Sequence, residues 1–227
     1  MKKIGVLLHG CGVYDGTEIH EAVFTLLAIA EAGAEAVCFA PNVAQHHVLD
    51  HTTGQEMPET RHVLVESARI ARGNIKDIAQ ITAHDLDGLV MPGGFGTAKN
   101  ITKWAFEGPK GAILKEVKDL IVEMVAQGKP IAGLCMSPTT IAKALEGTKY
   151  HAYLSVGTTD EPSPYDIAAI SAGMEAVGQI AEMVSVREIA VDDNLKIITA
   201  PCYMMEASIV EVRQNIKQAV DKLISLA

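Results

Sequence analysis

Short apolar runs that stop at glycine, proline or polar clusters alternate along this chain with longer segments of helical period. That alternation predicts a mainly parallel sheet, because two parallel strands can be joined only by a crossover of helix length. Apart from Lys3 at the start of the first, the runs at residues 3–8, 36–40, 88–91 and 130–134 are apolar, as strands covered on both faces must be. Residues 18–32 place Ile19, Ala22, Val23, Leu26, Leu27 and Ala30 at helical spacing, and Gly33 supplies a C-terminal cap. Helices are expected over 60–72, 113–126, 168–180 and 207–226, a strand over 153–156, and a hairpin from 188–191 and 196–200. The polar stretch 42–58, with His46, His47 and His51, reads as a solvated excursion without the ligand spacing of a metal site. The fold class expected is α/β: a doubly wound, mainly parallel sheet with helices on both faces, in one domain spanning 1–227.

The 227 residues suffice for one sizeable core, and an aromatic share of only 4% leaves Ala, Val, Ile and Leu to fill it. A formal net charge of −9 without a Lys/Arg cluster argues against nucleic acid as a partner. No stretch nears the roughly 20 apolar residues of a membrane span, and residues 4–8 are too short for a signal segment. Cysteines at 11, 38, 135 and 202 show no CxxC pair in a chain too large to need stapling. A reducing compartment follows, and the expectation is a soluble, cytoplasmic protein.

In an open α/β sheet, ligands bind beyond the carboxyl ends of the strands. Cys135 ends the run Pro130-Ile131-Ala132-Gly133-Leu134 and precedes a helix beginning near Ser137-Pro138. Free N–H groups and the helix dipole at such a junction favour thiolate, which makes Cys135 a candidate nucleophile; the other reading is a small buried hydrophobe. The loop after the first strand brings Cys11, Asp15, Glu18 and Glu21, and the loop after 88–91 brings Gly93 and Gly94, whose backbone N–H groups suit an oxyanion. Cys202-Tyr203, after another strand end, is a further candidate lining. Gly10, Gly12 and Gly16 form a GxGxxxG string, but no acid ends the second strand and Asp15 would repel a pyrophosphate, so nicotinamide binding is set aside.

The strings Met91-Pro92-Gly93-Gly94-Phe95-Gly96-Thr97-Ala98-Lys99-Asn100 and Leu134-Cys135-Met136-Ser137-Pro138-Thr139 resemble the ThiJ/PfpI superfamily of type 1 glutamine-amidotransferase-like folds. Within it, residues 10–21 and 198–204 resemble the ElbB branch, described as glyoxalase III-type and linked to isoprenoid biosynthesis. The resemblance spans nearly the whole chain and implies a flavodoxin-like fold. It also implies Cys135 as nucleophile, Gly94 and Met136 N–H groups as oxyanion donors, and Glu21 ahead of Glu18 as carboxylate partner. Met136 stands where members with peptidase or amidase chemistry place a histidine, and His151 does not match a family histidine. The function so implied is a glyoxalase acting on a small-molecule carbonyl, with no cofactor and no metal, in a homodimer. The alternatives are a redox sensor built on Cys135 and an amidotransferase completed by a partner.

Overall fold

A computed structural model describes residues 1–227. In chain order the elements are β1 (Lys3–Leu7), α1 (Ile19–Glu31), β2 (Glu35–Ala40), α2 (Val63–Ile70), β3 (Lys76–Asp77), β4 (Gly88–Met91), α3 (Trp104–Glu107), α4 (Lys115–Ala126), β5 (Ile131–Leu134), α5 (Pro138–Leu145), β6 (Tyr153–Leu154), α6 (Ile167–Ala176), β7 (Ile180–Ala181), β8 (Ala190–Asp192), β9 (Ile197–Ala200) and α7 (Ile209–Leu226). The main sheet runs β3-β2-β1-β4-β5-β9-β8, parallel except for β8, which pairs antiparallel with β9. This is the doubly wound, flavodoxin-like architecture expected.

The register places Val6 between Cys38 and Val90, and Leu134 beside Ala200. Ile4, Val6, Leu7, Leu89, Val90, Met91, Ile131, Leu134, Ile197 and Ile198 are wholly buried, which is why their runs lack polar alternation. From β1 the chain steps outward through α1 to β2; from β4 it steps the other way through α4 to β5. Right-handed crossovers in opposite directions lay α1 and α4 on opposite faces, where α1 packs on α7 and α4 on α5. The reversal between β1 and β4 leaves a crevice at their carboxyl ends.

Three local expectations need correction. Helix α6 stops at Ala176 rather than running to Ile180, because Gly178 turns left-handed (φ 92°) and releases Ile180 into β7. There β7 pairs parallel with β6 in a separate two-stranded sheet. The two-residue edge strand β3 is too short to leave a periodic signal. The stretch 42–58 is not merely solvated: bridges Ala44–His62 and Leu49–Glu56 fold it back, and the Leu49 N–H donates to the buried Asp15 Oδ2 at 2.7 Å.

Phe39 is wholly buried on β2 against Gly5, where an added Cβ would come within 2.9 Å of its ring. Phe39→Ala is expected to remove about 3–5 kcal/mol of stability. Urea unfolding checks this through a lowered midpoint at unchanged m-value.

Candidate active site

Cys135 occupies the first residue after β5 with φ 57°, a left-handed conformation rare for a residue bearing a side chain. The backbone is pinned there. The Cys135 N–H donates to Ala200 O at 2.9 Å, the Ser137 N–H donates to Leu134 O at 2.9 Å, and α5 begins at once with Pro138. This strand-to-helix elbow turns the thiol toward the crevice beyond β1 and β4.

The turn Pro92-Gly93-Gly94 after β4 faces it. The Gly93 N–H donates to Glu21 Oε2 at 2.8 Å, while Pro92 O, on the same peptide group, accepts from Ser137 Oγ at 2.8 Å and from His9 Nε2 at 3.0 Å. A Cβ on Gly93 would lie 2.3 Å from Cys135 Cβ and 2.6 Å from Glu21 Oε2, so only glycine allows carboxyl and thiol to meet. Gly94 is left-handed (φ 99°), and a Cβ there would strike Glu18 N and Gly16 O at 2.4 Å. The Gly94 and Met136 N–H groups have no oxygen acceptor and hydrogen-bond the Cys135 sulfur.

Glu21 and Glu18 open α1 in different roles. Glu18 is the N-cap, its Oε2 accepting from the Glu21 N–H at 2.7 Å. The Glu21 carboxyl is wholly buried and in contact with the thiol, and its Oε1 accepts from the Tyr203 N–H at 3.3 Å. Burial first, and then the Glu18 charge, raise its pKa from an ordinary 4.5 to about 8, against the hydrogen bonds from Gly93, Tyr203 and Cys135. The Cys135 thiol is likewise held well above the usual range, by burial and then by Glu21, with the Gly94 and Met136 amides opposing. The thiolate expected from the helix terminus is therefore corrected. In the resting site both groups favour their neutral forms, because burial and the neighbouring carboxyl outweigh the amides at the elbow.

The small cavity here, about 10 Å³, has room for about one water molecule. It is lined by Cys135, Met136, Glu18, Gly94, Val13, Phe95, Tyr165, Tyr203 and Met204. Gly93 and Glu21 are not part of that lining; Glu21 reaches the site through the Cys135 thiol. Two pocket candidates lie elsewhere. Asp15 turns away to cap Leu49 and face His51 at 3.8 Å, and the Cys11 thiol lies in the field of Glu66 and Arg69 beside α2. His151 hydrogen-bonds Gly178 O at 2.7 Å outside the lining, whereas Cys202, beside Cys135, is wholly buried. His9, Tyr165 and Met204 were not foreseen. His9 is neutral, with burial lowering its pKa to about 4, and carries no sequence mark beyond following β1. Tyr165 sits in a loop far along the chain and meets Phe95 edge-on at 5.8 Å.

A doubly wound sheet with a left-handed cysteine elbow facing a Gly-Gly turn is the architecture of an amidotransferase-like domain. The comparisons agree. "Glutamine amidotransferase-like class 1 domain-containing protein 3, mitochondrial" of Homo sapiens is 40% identical over 226 residues, 99% of this chain and 83% of that protein. The "ES1 protein homolog, mitochondrial" of Rattus norvegicus is 38% identical over 99% of this chain and 84% of its own. The chain belongs to this ES1 family of glutamine amidotransferase-like class 1 domain proteins. A crystal structure of an isoprenoid biosynthesis protein with an amidotransferase-like domain from Ehrlichia chaffeensis superposes with a TM-score of 0.89 at 31% identity, covering 100% of this chain and 99% of that one. Drosophila melanogaster DJ-1beta shares the fold alone, with a TM-score of 0.55 at 17% identity, covering 100% of this chain and 95% of that one.

 No protein-family model matches the chain.

The relatives correct the expected cytoplasmic location, since the human and rat proteins are both named as mitochondrial. Unpaired cysteines speak for a reducing interior, and that property does not single out the cytoplasm.

The raised Glu21 pKa makes stability depend on pH. The folded protein holds this proton up to about pH 8, whereas the unfolded chain releases it near 4.5, so the stabilisation is full below 4.5 and lost as pH rises through 8. Melting temperatures of the wild type and Glu21→Gln are expected to diverge between pH 5 and 8, with the wild type losing ground. A constant difference would show that Glu21 ionises normally.

Proposed function

We propose that this protein is a cofactor-independent glyoxalase of the glyoxalase III type, converting glyoxal or a similarly small carbonyl compound to a hydroxy acid. One observation carries the reading: a thiol and two amides without an oxygen acceptor bound a single small cavity that no imidazole lines, and a carboxyl of raised pKa meets that thiol. Without an imidazole to protonate a leaving amine, peptidase and amidase chemistry is poorly served. Aldehyde chemistry has no amine to expel. The superfamily includes enzymes, and the relatives' names state no glyoxalase activity.

The reaction begins from the ionised fraction of Glu21. Its carboxylate takes the Cys135 proton as sulfur attacks one carbonyl carbon of glyoxal, and the Gly94 and Met136 N–H groups hold the resulting oxyanion. Return of that proton to oxygen gives the hemithioacetal. Glu21 then removes the hydrogen from the attacked carbon while the neighbouring carbonyl oxygen is protonated, forming an enediol. Protonation of the adjacent carbon and loss of the hydroxyl proton leave a thioester. Water hydrolyses it to glycolate and frees the thiol. The sum is glyoxal plus water giving glycolate, with one carbon oxidised and the other reduced.

A cavity of about 10 Å³ admits this substrate only if a wall moves, and Tyr165, half-buried in a loop, is the side chain we assign to that movement. Small carbonyl compounds are favoured over bulky ones for the same reason.

Cys135→Ser is expected to lower kcat/KM for glyoxal by about 10³-fold or more, read by glycolate formation with the fold checked by circular dichroism. Unchanged turnover would end the proposal. Because the base form of Glu21 starts the reaction, kcat/KM should rise about tenfold per pH unit and level off near pH 8. Glu18→Gln keeps the helix cap but removes the like charge, so the plateau should begin at lower pH.

A further inference from the structure

A second cavity, of about 330 Å³, is unused by the chemistry above and touches the Cys135 crevice only through Phe95, which lines both. It opens where the loop after β1, the folded-back stretch 42–58 and the segment leading into α3 meet. Tyr14, Phe95, Phe106 and Leu49 form its walls, and Lys99 and His47 bring the polar groups. A chain with 4% aromatic residues commits three of them here, and Tyr14 and Phe106 remain 42% and 45% exposed. Rings left open to a concave space of this size suit a small planar ligand.

Its charge can be argued as well. Lys99 Nζ donates to Tyr14 O at 2.8 Å, stands 5.6 Å from the Phe95 ring centre and makes no salt bridge. Lys103 Nζ lies 6.0 Å from the Phe106 ring centre, held by Lys99 O at 3.0 Å and His46 Nδ1 at 3.3 Å. The protein's own ammonium groups thus take up the ring faces that would attract a cationic ligand. The acids acting on Lys99 are Asp15, already engaged by the Leu49 N–H, and the exposed Glu56. Lys99 is the cation in the lining, and no carboxylate lines the cavity beside it.

We propose that this cavity binds a planar aromatic monocarboxylate, with its ring among Tyr14, Phe95 and Phe106 and its carboxylate on Lys99 Nζ. The site stands apart from the glyoxalase reading and needs no reaction at Cys135.

The probe is 2-naphthoate, titrated by isothermal calorimetry, with neutral 2-naphthamide as its uncharged match. A dissociation constant of about 0.1 mM is expected for a ligand of this size. Cys135→Ser should bind equally well, and the amide should bind at least about tenfold more weakly. Leu49→Trp, which fills the cavity and leaves both lysines in place, should abolish binding. Lys99→Gln should weaken the acid about tenfold and leave the amide unaffected, which keeps the test decisive if Leu49→Trp does not fold. No saturable binding to the wild type, equal affinity for acid and amide, loss of binding in Cys135→Ser, or full binding by folded Leu49→Trp would each overturn the proposal.

Discussion

One peptide group, between Pro92 and Gly93, joins the elements that make the crevice. Its carbonyl accepts from His9, just after β1, and from Ser137, just after the β5 elbow, while its N–H donates to Glu21 on α1. Two donors on the carbonyl polarise the peptide and strengthen the N–H that meets the carboxyl. A neutral His9, with Thr17 Oγ1 at 3.3 Å from its other ring nitrogen, suits this role, since it places no charge beside a buried acid. The sheet sets where three strands end, and this group fixes how their loops touch.

The site turns on a contest between burial and the local amides. A helix terminus is worth about 0.3–1 kcal/mol to an exposed charge and up to about 2 in favourable settings. Burial of an ionised group can shift a pKa by about 3–5 units, each unit being about 1.4 kcal/mol. Burial wins at Cys135 and at Glu21; Glu21 adds to the rise at Cys135, while the hydrogen bond from the thiol favours ionised Glu21 without outweighing burial. The resting pair is therefore close to neutral, and a reactive thiolate is reached by passing its proton to the ionised fraction of Glu21 rather than to solvent.

The sequence made the sheet legible because fully buried strands must be apolar runs and their crossovers must be helices. It also pointed to Cys135, Gly93, Gly94 and Glu21, which occupy strand ends or the first helical turn. It left Asp15 and Cys11 misplaced, since loop residues a few positions apart face different neighbours once Asn100 Nδ2 ties down His9 O and Asp15 O at 2.9 Å each. Protonation was misjudged for a related reason: a helix terminus can be read from Ser137-Pro138, but the depth of the thiol beneath Tyr165, Phe95 and Met204 depends on residues distant in sequence.

The central claim is that Glu21 and Cys135 form a buried pair, neutral at rest, that exchanges one proton. Its most direct test is a carbon-13 NMR titration of the Glu21 carboxyl carbon, assigned by its absence in Glu21→Gln. A midpoint near pH 8 that shifts on Cys135→Ala is the expected result. An ordinary midpoint near 4.5, indifferent to the cysteine, would contradict the account.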